Sequence, residues 1–276
     1  MPVEHRLAVN GIEIAVWEWP GEEPAVFLCH ATGFHGRCWD QVIAQLPGRR
    51  CFAIDARGHG QSTKPAPPYR WRNFGGDVAE VAAQLNLLAA IGVGHSMGGH
   101  SVTLAAALRP DTFASLLLLD PVIRNRNEYV GPWTQAHFVA KRRNRWVSSQ
   151  EMYARFEKRP PFDAWDRSVL RDYCEYGLLR DGDGFILACP PEIEAAIYEN
   201  SPAPESNIYA EIATIQIPVH VVRAGKQLDP ANFMGSSPTA PDLASHFSHG
   251  TDLVTEQSHF IPMEAPALTA QWIAAL

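Results

Sequence analysis

Gly94-His95-Ser96-Met97-Gly98 is the stretch that most constrains the fold of this chain. Glycines flank the serine where a sharp turn needs close backbone approach that a Cβ would obstruct. Ala89-Ala90-Ile91-Gly92-Val93 before it is short and apolar enough for a buried strand, and the residues from Gly99 to Leu108 can form a helix. Strand, tight turn and helix together hold a side chain out at the carboxyl edge of a sheet. A serine held there is a candidate nucleophile.

The flanking pattern tells what kind of sheet this is. His5–Val9 and Ile12–Trp19 bracket Asn10-Gly11, a strong hairpin signal. Ala25–Cys29, Cys51–Asp55, 89–94, Leu116–Leu119, Pro218–Arg223 and Asp252–Glu256 read as strands. Helical spacing falls at Trp39–Leu46, Asn73–Leu87, Leu243–Phe247 and Ala265–Leu276. Strands alternating with helices imply an α/β fold, a mostly parallel twisted sheet covered on both faces and led by an antiparallel hairpin.

Residues 122–214 differ. They carry Trp133, Phe138, Trp146, Tyr153, Phe156, Phe162, Trp165, Tyr173 and Tyr176, with Pro-Pro breaks at 160–161 and 190–191. No buried-strand pattern shows there, so the segment reads as a helical cap over the carboxyl ends of the strands, where open α/β sheets bind ligands. The expected division is a core of 1–121 and 215–276 with a cap of 122–214. Most of the cap aromatics are expected to pack its own core, with Phe34, Trp133 and Phe138 the candidates for a substrate pocket. The run Lys141-Arg142-Arg143-Asn144-Arg145 reads as a solvated helix face rather than an anion site.

Composition narrows the function classes. A net charge of −7 argues against nucleic acid as a partner. No apolar run reaches the roughly 20 residues needed to cross a bilayer, and the N-terminus lacks a charged-then-apolar signal pattern. Five scattered cysteines without CxxC spacing read as reduced thiols of a cytoplasmic protein, with no metal site and no cofactor expected. A small-molecule ester is the expected partner, and a homodimer is compatible with the composition.

An acyl-transfer site needs a nucleophile, a base, an acid to orient the base, and donors for the oxyanion. His259, alone among eleven histidines, lies between the last strand and the last helix, where the base would stand. Asp120 ends the run Leu116–Leu119 and stands at the sheet's carboxyl edge. Asp229, in a Pro- and Ser-rich loop after the next strand, competes for the role of acid.

Four blocks in this order make the chain resemble the α/β-hydrolase superfamily over nearly its whole length. They are His30-Ala31-Thr32-Gly33-Phe34, Asp55-Ala56-Arg57-Gly58-His59-Gly60-Gln61-Ser62, Gly94–Gly98 and Ser258-His259-Phe260-Ile261-Pro262. The wording is similar to the cap-bearing serine esterase and lactonase branch. The resemblance implies an oxyanion hole from the amides of Thr32 and Met97, with Ala31 standing where the family has glycine. It makes His30 and Arg57–Gly60 elements of loop geometry. It implies a carboxylic ester hydrolase working through an acyl-enzyme on Ser96. C–C bond hydrolysis, cyanohydrin cleavage on the same triad and a small-molecule sensor are the alternatives. A carboxylate at position 96 would instead have suggested an alkyl-enzyme route to epoxides or haloalkanes.

Overall fold

The computed structural model describes residues 1–226 and 236–276. Asp229, the competing acid, lies outside the described residues. The main strands are β1 (Val3–Val9), β2 (Ile12–Trp19), β3 (Glu22–Cys29), β4 (Arg49–Ile54), β5 (Ala90–His95) and β6 (Phe113–Leu119). The cap adds β7 (Arg145–Trp146), β8 (Leu178–Asp181) and β9 (Gly184–Leu187), and the chain returns to the main sheet with β10 (Val219–Ala224) and β11 (Gly250–Thr255). Helices α1 (Asp40–Ile43), α2 (Trp71–Gln84) and α3 (Met97–Leu108) belong to the first half. They are followed by α4 (Ser149–Phe156), α5 (Arg167–Tyr176), α6 (Pro191–Glu199), α7 (Tyr209–Ile212), α8 (Ile261–Glu264) and α9 (Pro266–Ala274).

Among the described residues, eight strands form one sheet in the order β1-β2-β4-β3-β5-β6-β10-β11. The β1–β2 hairpin and the β2–β4 pair are antiparallel, and every other pair is parallel. Strand β5 is buried at all six positions, as a central strand covered on both faces must be. One apolar layer joins Phe27, Phe52, Leu116 and Leu118 to α2 and α3. The opposite layer joins Leu28, Val93, Leu117 and Leu119 to Trp39, Val42 and Ile273. Consecutive residues of one strand serve opposite layers, as the pleat requires.

Two of the expected helices are shorter than their spacing suggests. Gly36–Trp39 is a 3-10 turn running into the four-residue α1, and Leu243–His246 is a single 3-10 turn. No helix among the described residues is long and apolar enough to cross a membrane.

The chain from 120 to 218 lies between β6 and β10, which are neighbours in the sheet. It is not wholly helical, as the sequence had suggested. Strands β7, β9 and β8 form a small antiparallel sheet, closed by a two-residue turn at Gly182-Asp183 with Gly182 at φ +60°. Gly182-Asp183 is a hairpin signal with glycine first, and only a residue tolerant of positive φ suits that first turn position. A third apolar cluster ties this segment to the main body. Trp146, Met152, Trp165, Val169 and Tyr173 pack with Phe34, Phe260 and Met263.

Candidate active site

The turn between β5 and α3 holds Ser96 at φ +57°, ψ −118°, a conformation that L residues rarely adopt. Crowding explains the flanking glycines. A Cβ on Gly98 would overlap the Cys29 carbonyl, and one on Gly94 would overlap the Gly98 carbonyl. The elbow is thereby pressed against β3, and Ser96 is only 4% exposed. Strain of order 1–3 kcal/mol at one residue persists only where the surroundings enforce it. Here the Ser96 amide donates to the Leu119 carbonyl (3.1 Å), and the Ser96 carbonyl accepts from the Val122 amide (3.0 Å).

The three candidates brought forward by the sequence converge. Ser96 Oγ stands 3.0 Å from His259 Nε2, and His259 Nδ1 stands 2.6 Å from Asp120 Oδ2. These partners are 163 and 139 residues apart in the chain. With Nδ1–H donating to the carboxylate, Nε2 is left with a lone pair facing the serine hydroxyl. Asp120 is fully buried, at φ +43° directly after β6. Its Oδ1 accepts from the Ala224 amide (2.9 Å), from Thr239 Oγ1 (3.2 Å) and from the Ser237 hydroxyl. Burial alone would push this carboxyl up. The hydrogen bond and charge of His259, then the Ser237 and Ala224 donors, outweigh burial and hold it below the usual carboxylate range.

His95, the second residue of the elbow motif, has a role that sequence reading missed. Its Nε2 donates to the His259 carbonyl at 2.7 Å, so the elbow itself anchors the histidine loop. Burial, reinforced by the neighbouring His259 charge, pulls the His95 imidazole down to about 3, so it stays neutral. Ser237 and Thr239 were missed as well, because nothing local marks loop hydroxyls that meet a carboxylate more than 110 residues away.

Met97 begins α3, where first-turn amides have no intrahelical acceptor. Among the described residues neither its amide nor that of Thr32 has a backbone acceptor. Thr32 lines a cavity beside Ser96, and among the described residues its buried hydroxyl has no partner. His30 and the Arg57–Gly60 block do build the loops. His30 Nε2 accepts from the Ala56 amide (3.0 Å), and Arg57 pairs with buried Asp77 (2.6 Å).

Two cavities meet at Ser96 and His259. The first, of about 200 Å³, is largely apolar and is lined by Phe34, Phe138, Phe156 and Phe162. The second, of about 340 Å³, is more polar and takes in Trp133, Arg124, Asn125 and Ser201. Phe34, Trp133 and Phe138 therefore all line space next to the serine. Trp146 does not. It is 3% exposed and packs on Phe156 inside the cap.

The basic run is also corrected. Arg142 does not lie on a solvated helix. It follows a 3-10 turn, enters the wall of the first cavity and pairs with the buried carboxylate of Glu194. The partner lies 52 residues away, so charge spacing in the run could not announce it.

A doubly covered sheet, with a serine on a strained strand-to-helix turn and an Asp–His pair from two later loops, defines a class of fold built to present a nucleophile. The chain belongs to the alpha/beta hydrolase family, whose model matches residues 26–272. An epoxide hydrolase of Caballeronia sordidicola is 35% identical over 45% of this chain and 39% of its own length. A lipase of Mycobacterium tuberculosis is 36% identical over 41% of this chain and 43% of its own. The chain thus spans about two fifths of these curated relatives. Among solved structures, an E-2-(acetamidomethylene)succinate hydrolase superposes with a TM-score of 0.78 at 21% identity, covering 100% of this chain and 98% of that one. At that identity the likeness speaks for the fold.

Proposed function

We propose that the protein is a serine hydrolase of carboxylic esters or lactones that works through an acyl-enzyme on Ser96. The observation that carries the reading is the continuous Ser96–His259–Asp120 relay opening on two cavities. Ser96 Oγ attacks the carbonyl carbon while His259 Nε2 takes the hydroxyl proton. The amides of Thr32 and Met97 stabilise the oxyanion. The tetrahedral species collapses, the carbon–oxygen bond to the leaving group breaks, and the alcohol leaves with the proton from His259. Water then attacks the acyl-enzyme, gives its proton to His259 and releases the acid as Ser96 regains a hydrogen. Asp120 holds the imidazole in the required tautomer and stabilises its charged form.

Relatives named as a lipase and as esterases support this reading. A serine at position 96 separates this reading from an alkyl-enzyme route, which needs a carboxylate nucleophile. Five free, buried cysteines support a reducing, cytoplasmic setting. The test is steady-state turnover of short p-nitrophenyl esters. Serine-dependent multiple turnover is expected. Stoichiometric release followed by arrest would favour a sensor.

A further inference from the structure

The two cavities at Ser96 differ in how their arginines are matched. Arg142, in the apolar one, is neutralised by Glu194 and also bonds Tyr173. Among the described residues Arg124, in the polar one, makes no such ion pair. Among the described residues its buried Nε has no partner, and its one guanidinium hydrogen bond is a long one, 3.5 Å, from Nη2 to the Ser201 hydroxyl. The rest of the residue is held firmly. Its amide donates to the Tyr129 hydroxyl (3.2 Å), and its carbonyl accepts from the Tyr209 hydroxyl (2.9 Å). Glu128 also lines this cavity, but it is exposed and its carboxylate is engaged by Asn125 Nδ2 at 2.6 Å.

A buried guanidinium is costly unless its donors find acceptors, and its planar fork fits a carboxylate in two parallel hydrogen bonds. The cavity is roomy enough for such a group and opens directly onto Ser96 and His259. We propose that the second cavity binds a carboxylate borne by one arm of the substrate, with Arg124 as its partner, while the apolar cavity takes the other arm. The substrate class is then an ester or lactone carrying a carboxylate a few bonds from the scissile carbonyl. This rests on the serine-hydrolase reading above. Burial pulls the Arg124 guanidinium down, more than Glu128 and Tyr129 push it up.

The test compares matched substrates with and without the charge. Mono-p-nitrophenyl glutarate against p-nitrophenyl pentanoate places the carboxylate on the acyl arm. The pair 4-(butanoyloxy)benzoate and phenyl butanoate places it on the alcohol arm. The wild type is expected to favour the anionic member of one pair. Arg124→Met should lower the anionic-over-neutral ratio of kcat/KM by about ten- to a hundred-fold, the worth of a charged hydrogen bond, mainly through KM. Arg124→Lys should restore part of the ratio, which also covers the case in which the methionine variant fails to fold. No anionic preference in either pair overturns the proposal, as does a ratio that Arg124→Lys and a folded Arg124→Met both leave unchanged. If Ser96→Ala turns over these esters as fast as the wild type, the underlying hydrolase reading fails instead.

Discussion

Ser96, His259 and Asp120 are joined by two hydrogen bonds, so under the proposed mechanism a change at each should be felt through the others. Ser96→Ala is expected to lower ester turnover by about three to six orders of magnitude at an unchanged melting temperature. Asp120→Asn should cost up to about 10⁴-fold, because the amide favours the tautomer that turns an N–H toward the serine. An amide at 120 also disturbs the acceptor shared by Ala224, Ser237 and Thr239, so part of that loss should appear in stability. If Asp229→Asn is the more damaging of the two, the orienting acid is not Asp120.

Phe162 faces the apolar cavity, stacked on Phe156 at 4.4 Å, whereas Trp146 lies behind that ring, away from the cavity. Phe162→Ala should therefore move the optimum acyl length, with neighbours in the series separated by about 1–3 kcal/mol per methylene. Trp146→Ala should leave the preference alone and cost about 3–5 kcal/mol of stability. A panel of acyl lengths read beside urea midpoints checks both, and a shifted preference in Trp146→Ala would contradict this placement. At this scale the sequence was legible wherever the signal was local. The elbow glycines, the Asn10-Gly11 hairpin and the strand-end aspartate each follow from a few adjacent residues. The small cap sheet was missed because the aromatic-rich helical spacing of this segment masks the short Gly182-Asp183 turn signal. Arg142 was misread because its direction is set by Glu194, far along the chain.

The whole molecule carries a set of buried neutral histidines whose protonation is coupled to unfolding. Burial, first among the causes, pulls His95 down to about 3 and His35 and His100 to about 4. Unfolded, each takes up a proton near pH 6.5. Between about pH 6.5 and 4 the unfolded chain therefore binds more protons, and stability falls as pH falls, by up to about 1.4 kcal/mol per unit for each histidine. Asp40, Asp172 and Glu194, raised by burial, act in the opposite sense at the acid end. His100→Gln isolates one contribution, since an amide can still donate to the Ser206 carbonyl. Its urea-derived stability should decline less steeply over that range than the wild type's, and parallel slopes would refute the linkage. The central claim, that this fold exists to make Ser96 a nucleophile, is tested most directly by intact-mass spectrometry after treatment with a p-nitrophenyl alkylphosphonate. The account predicts one adduct per chain, mapped to the peptide containing Ser96, lost in Ser96→Ala and strongly slowed in Asp120→Asn. An adduct on another residue, or full ester turnover by a protein that Ser96→Ala leaves intact, would contradict it.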